Sequence, residues 1–357
     1  MENSGRKNGR LVWLDYCKTI AITLVILFHT GVITCKITVP LLAMCVPLFF
    51  VINGGLVLRC VRDVRYFIRK MFKILFMIVF WGAISDLIIV LLKGEPLDIV
   101  DLAFAGINFK FGYAHHLWFL CTLLALYAIY PAIQGSMKNR NVAVFVLITS
   151  FLFSFLAFGY RLPTFKIPNV LAFRHGEAFF YAILGCVIVN HVYIDSCSNY
   201  LRIGVFNKEG QKDLVHSVKM NRMNFIILLV LVFITLWIGQ LLMFYGTEFF
   251  TKHTPASLDE AVFYLYNSPF VMLMVAMLVL LLKLINPMRN KLVEFIGGNT
   301  LGMYVLHWIF MSLTRNYVVC ADLRVANLIT FVSTCALSLL CTWIMSKNKI
   351  SRFLITL

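Results

Sequence analysis

Residues 11–34 read LVWLDYCKTIAITLVILFHTGVIT. The stretch is apolar for long enough to cross a bilayer as a helix, yet it carries Asp15, Lys18 and His29. Lys18 and His29 are eleven residues apart, about three helical turns, so both side chains project from one face, about 16 Å apart along the axis. Asp15 precedes Lys18 by one turn and joins that face. Ionisable groups inside a span are costly, and they mark a cavity, a substrate path or a reaction centre. The expectation is a catalytic or transport membrane protein. The plainer alternatives are an Asp15–Lys18 pair that neutralises itself and a His29 that snorkels to water.

The remainder of the chain has the same character. Of its 357 residues 61% are hydrophobic and only 13% charged, with a mean hydropathy of +0.86. Soluble globular proteins run near half apolar and a quarter charged, so the class is an all-α polytopic membrane protein. One membrane domain fills residues 1–357, with no room for a large soluble domain at either end. The longest polar stretch, 195–222, reads as a loop between spans. Ten cysteines are present without a C-x-x-C pair, most of them in apolar runs. They read as small hydrophobes, not as disulfides or metal ligands, and no metal site is expected. The start, MENSGRKNGR, has Glu2 where a myristoylation signal needs glycine, and no small-residue cleavage site follows. The first span is therefore read as retained.

About ten apolar runs are near span length, at 11–34, 38–58, 72–92, 114–134, 142–160, 175–193, 223–245, 263–285, 297–314 and 326–346. An even number puts both termini on one side. The segments on that side carry 22 of the 32 Lys and Arg, the opposite side nine, and Lys18 lies inside a span. The positive-inside rule then places both termini in the cytoplasm. The net charge of +16 is largely topological and needs no nucleic-acid partner.

Polar residues interrupt the apolar runs at a few places. Arg62, Arg65 and Arg69 follow the second span at i, i+3, i+7 spacing, one helical face suited to phosphate oxygens or to anionic lipid headgroups. Asn53, Gly54 and Gly55 break an apolar span, where paired glycines allow close helix approach or a helix break. His115, His116 and Trp118 lie at a span entrance, where interfacial aromatics are common. Asn299, Thr300, Tyr304 and His307 put polar groups into a short span, with Tyr304 and His307 on one face. Glu177, just after Arg174 and His175, reads as a salt bridge at a span start.

Taken in order, these segments resemble the acyltransferase-3 family of bacterial inner-membrane enzymes, which O-acylate, most often O-acetylate, surface sugars. The resemblance rests on Lys18 and His29 in LDYCKTIAITLVILFH, Phe49-Phe50 with Asn53-Gly54, the Arg62/Arg65 pair, HLWFL at 116–120 and NTLGMYVLH at 299–307. It covers nearly the whole chain. Two departures stand out: Lys18 replaces the family's usual Arg, and Asn53 its usual Ser. The family's appended periplasmic SGNH-type domain has no counterpart here.

The resemblance implies acyl-CoA, most often acetyl-CoA, as co-substrate on the cytoplasmic side, with no tightly bound cofactor. It implies phosphates docked on Arg62, Arg65 and Arg69, and Lys18 (with Asp15) at the inner end of a passage. His29 would deprotonate a sugar hydroxyl or carry the acyl group. Asn53, His116, Tyr304 and His307 are expected to line the cavity. The acceptor would be a lipid-linked or growing surface polysaccharide, with specificity in the loops near 93–113 and 246–262. His29→Ala and Arg65→Ala are each expected to abolish acetylation. The rival class is an exporter of a lipid-linked sugar or small solute, with Asp15, Lys18 and His29 along its path.

Overall fold

The computed structural model describes residues 10–32, 36–94, 115–160, 176–197, 200–205, 220–246, 265–318, 320 and 322–357. Each of the ten apolar runs holds a helix. These are α1 (Val12–Thr30), α2 with α3 (Val39–Leu42 and Cys45–Val57), α4 (Val64–Lys93), α5 (Trp118–Ile133) and α6 (Arg140–Tyr160). Then come α7 (Gly176–Asn190), α8 (Arg222–Gly246), α9 (Pro269–Ile285), α10 (Lys291–Tyr317) and α11 (Leu323–Lys347), followed by a short α12 (Lys349–Phe353). Among the described residues, five stretches are long and apolar enough to cross a membrane: Val12–Thr30, Val39–Val57, Val64–Leu92, Arg222–Met243 and Leu323–Lys347. Four more are apolar but shorter: Trp118–Ile133, Arg140–Phe155, Gly176–Asn190 and Pro269–Ile285. The class is thus a helical membrane protein.

The polar stretch expected to be a plain loop contains strands. Val192–Cys197 pairs antiparallel with Tyr200–Val205, which pairs with Met220–Asn221. Val192, Ile194, Ile203 and Val205 are β-branched, and they favour this local pairing over coil.

Local chemistry fixes the helix limits. Gly31 ends α1 with φ +67°, a left-handed cap that glycine adopts without strain. The side chains of Asn290 and Asp322 accept backbone N–H groups at the starts of α10 and α11. Before α4, Asp63 is extended (φ −63°, ψ 147°), so the helix begins at Val64, beyond Arg62.

Helices α1 and α10 pack on each other. Helix α1 packs on α3, α9, α10 and α11, while α10 packs on α1, α4 and α11. Close approach depends on small residues. A Cβ on Gly54 would lie 2.0 Å from the Ala182 carbonyl oxygen, and one on Gly185 would lie 1.8 Å from that of Val51. Gly54 and Gly55 thus permit α3–α7 contact within an unbroken helix, one of the two alternatives read in the sequence. Gly297 does the same for α10 on α1, since a Cβ there would lie 2.9 Å from the Asp15 Cβ. Helices α8 and α11 turn Leu231, Leu242, Val332 and Ile344 outward. With no water to avoid, those apolar faces suit lipid.

Candidate functional site: a basic cavity beneath an imidazole cluster

A cavity of about 510 Å³ opens among α1, α3, α4, α5, α10 and the segment after α11, within the range of small-molecule sites. Its walls follow α3 from Phe49 through Ile52, Asn53 and Leu56 to Val57, about 12 Å at helical rise. Helix α10 contributes Gly297, Gly298, Thr300, Leu301 and Tyr304 to the facing wall. At one end stand four cationic side chains, Lys18, Arg62, Lys70 and Arg352, and the lining contains no Asp or Glu. At the other end, Phe49, Phe119 and Tyr304 form an aromatic layer with centroids 5.2–6.1 Å apart.

The cations are held by identifiable partners. Lys18 lies 3.6 Å from an Asp15 oxygen, but Asp15 is engaged more closely by Arg10, at 2.6 Å. Through that hydrogen bond Asp15 raises the Arg10 guanidinium above its ordinary value. Lys18 is therefore only loosely neutralised, and it reaches the cavity while Asp15 stays buried behind it. Arg62 is positioned through its backbone. Its N–H donates to Gln134 Oε1 and its carbonyl accepts from Gln134 Nε2, both at 2.8 Å. The guanidinium lies 4.4 Å from the Tyr66 ring centroid, with the Lys70 ammonium 5.5 Å from the same ring. Arg62 Nε is buried without a hydrogen-bond partner among the described residues.

Because α4 begins after Arg62, the three arginines do not share a helical face. Arg65 and Arg69 are exposed and lie outside the cavity lining, whereas Tyr66 and Lys70, four residues apart, face inward. Asn53 does line the cavity. Its Oδ1 accepts from Tyr130 (2.9 Å) and its amide lies 3.4 Å from the Tyr127 hydroxyl. An amide that both donates and accepts serves this pair of phenols.

Behind the aromatic layer lie the imidazoles. The His29 ring stacks on His307 (5.4 Å, 30°) and meets Trp308 edge-on at 5.3 Å. His116 is 5.2 Å from His307 and stacks on Trp308 at 5.5 Å and 14°. Tyr304 joins the two regions. Its ring lies 5.9 Å from His116 and 5.6 Å from His307 on one side, and against Phe49 and Phe119 on the other. Its hydroxyl donates to the His116 carbonyl oxygen. His29, His116 and His307 are absent from the cavity lining, so of the four residues expected there, Asn53 and Tyr304 line it directly and the two histidines sit one ring farther on.

His307 has a defined tautomer. Its Nδ1 lies 2.5 Å from the Tyr304 carbonyl oxygen, which can only accept, so Nδ1 carries a proton and, in the neutral ring, Nε2 holds the lone pair. Nε2 is buried without a hydrogen-bond partner among the described residues. The arrangement can therefore offer a basic nitrogen beside His29. No group of three His, Cys, Asp or Glu among the described residues is arranged to hold a metal ion.

Sequence reasoning missed Tyr66, Lys70, Phe119, Tyr127, Trp308 and Arg352. Of these, Trp308 adjoins His307 in the sequence, the one local signal that could have marked it. The side chain of His115, the Arg174–His175 pair beside buried Glu177, and most of the loops 93–113 and 246–262 lie outside the described residues.

A family model described as an acyltransferase domain matches residues 11–347, nearly the whole chain. No curated protein and no solved structure matches it.

Proposed function

The chain belongs to the acyltransferase-3 family, and from that premise we propose that it moves an acetyl group from acetyl-CoA to a hydroxyl of a lipid-linked or growing cell-surface polysaccharide. The reading includes ten spans in a bacterial inner membrane with both termini and the basic end of the cavity in the cytoplasm. One observation carries it: a cavity lined by four cationic side chains and by no Asp or Glu side chain, whose far wall is backed by three imidazoles. Arginine and lysine recognise phosphate through charge-assisted hydrogen bonds, and an imidazole is suited to moving the proton of an attacking hydroxyl near neutral pH.

In this account the donor's phosphates sit at Arg62 and Lys18, and the pantetheine arm runs along α3 past Asn53. Arg65 and Arg69, exposed at the rim, act on lipid headgroups or on the approach of the donor. The acceptor hydroxyl oxygen attacks the thioester carbonyl carbon, the C–S bond breaks and CoA leaves as the thiolate. His29 takes the hydroxyl proton and returns it to the leaving group. In a two-step variant the imidazole first carries the acyl group. In either route the Phe49–Phe119–Tyr304 layer must part, because it separates the thioester from the imidazoles.

Membranes holding the protein, given labelled acetyl-CoA and the host glycan, test the reading. Free CoA and acetylated glycan, both dependent on His29, are the expected products. Intact acetyl-CoA with relocated glycan would instead identify an exporter.

A further inference from the structure

Arg352 lines the same cavity as Lys18, Arg62 and Lys70, although it comes from the far end of the sequence and belongs to no motif. We propose that Arg352, with Lys70, completes the phosphate dock, so that the segment 349–357 is part of the donor site and not a passive continuation of α11. The identity of the donor rests on the reading above; the chemistry inferred here is a multiply phosphorylated anion.

The segment is held firmly in place. Asn348 caps α12 by accepting from the Ile350 N–H at 2.9 Å. Trp81 Nε1 donates to the Leu354 carbonyl at 2.8 Å, and Lys73 lies 4.5 Å from the Phe353 ring centroid and 3.4 Å from the Thr356 hydroxyl. Ile355 is buried against Gly302, where a Cβ would stand 3.1 Å from its own. These contacts tie the segment to α4 and α10, and Arg352 takes part in none of them through its guanidinium. It is exposed and makes no ion pair among the described residues.

Asp15 partly offsets Lys18 at 3.6 Å, but Arg62, Lys70 and Arg352 make no ion pair among the described residues, and cations sharing one space repel one another unless an anion enters. The buried, unpartnered Arg62 Nε faces the same need. Lys70 shares the Tyr66 ring with Arg62, which puts an ammonium near the guanidinium, and Arg352 lines the same cavity from a separate segment of the chain. A single phosphate could be met by Arg62 alone, whereas four cations from α1, α4, its preceding link and the 349–357 segment suit a ligand with several phosphates.

The test uses the full chain in lipid nanodiscs, with CoA and inorganic triphosphate as separate probes in titration calorimetry. Arg352→Gln should weaken both by about tenfold or more, the effect of losing one charge-assisted contact, with an unchanged thermal midpoint. Lys70→Gln should do likewise, Arg352→Lys should recover part of the loss, and Arg352→Gln should lower the salt sensitivity of binding. Wild-type affinity for both probes in Arg352→Gln would overturn the dock and leave the donor reading standing. Binding of triphosphate but not CoA, lost in Arg352→Gln, would support the dock and end the acyl-CoA reading. Binding of neither probe by the wild type would end both. A fallen thermal midpoint with Arg352→Lys no better than Arg352→Gln would assign the residue a purely structural role and overturn the proposal.

Discussion

The two ends of this site differ in how they are built. At the basic end the charges are open to the cavity and their backbones are pinned: Arg62 by Gln134, and the Arg352 segment by Trp81 and Lys73. At the imidazole end the rings are packed against one another and closed off by Tyr304, Phe49 and Phe119. An open dock costs less to fill when the backbones that carry its cations are already held in place. A closed reactive cluster excludes water and must be opened by the substrates. Under the proposed function, donor affinity would belong to the basic end and the chemical step to the imidazole end.

Kinetics of variants can break that division. His29→Ala should lower kcat by about 10²–10⁴-fold with donor KM little changed, the range for a lost acid–base group. A raised KM with unaltered kcat would place His29 in the dock instead. Gly185→Ala should cost stability, about 2–3 kcal/mol from forced separation of α3 and α7, seen as a lower thermal midpoint in detergent. Arg62→Gln should raise donor KM about 10–100-fold and leave kcat within a few fold. Tyr304→Phe removes only the hydroxyl bond to His116 and should lower kcat about fivefold, the worth of one hydrogen bond. Arg65→Ala should change donor KM by less than about threefold, because the side chain is exposed and outside the lining. An Arg65 effect as large as that of Arg62 would move the dock outward, back to the helical face that spacing suggested.

Much of this was readable from the sequence, for a physical reason. Eleven residues nearly complete three turns, so the Lys18–His29 alignment follows from helix geometry alone, and both do face α10. Apolar runs of span length coincide with helices, five stretches among the described residues being long and apolar enough to cross a membrane, because lipid leaves the backbone no other way to satisfy itself. The arginine row was misjudged because its spacing presumes a helix through Arg62, and the extended Asp63 ends that register. Tyr66 and Lys70 then take the inward face. Phe119 stands inside the HLWFL stretch but nothing there marks it as a cavity wall, and Tyr127 could not stand out in a chain with 14 Tyr. Arg352 needs the return of the 349–357 segment onto α4, a long-range contact that no local pattern encodes. The short strands after α7 escaped because six-residue segments with two β-branched residues each, set in a polar stretch, carry little periodic signal.

The most direct test of the account is where an acyl chain goes. Acyl-CoA carrying a photoreactive acyl group, irradiated with the purified protein and mapped by mass spectrometry, should label α3, α5 or α10 around Phe49, Phe119 and Tyr304, with CoA in excess abolishing the label. Label that CoA does not compete away, spread over the outward faces of α8 and α11, would contradict a donor held in this cavity.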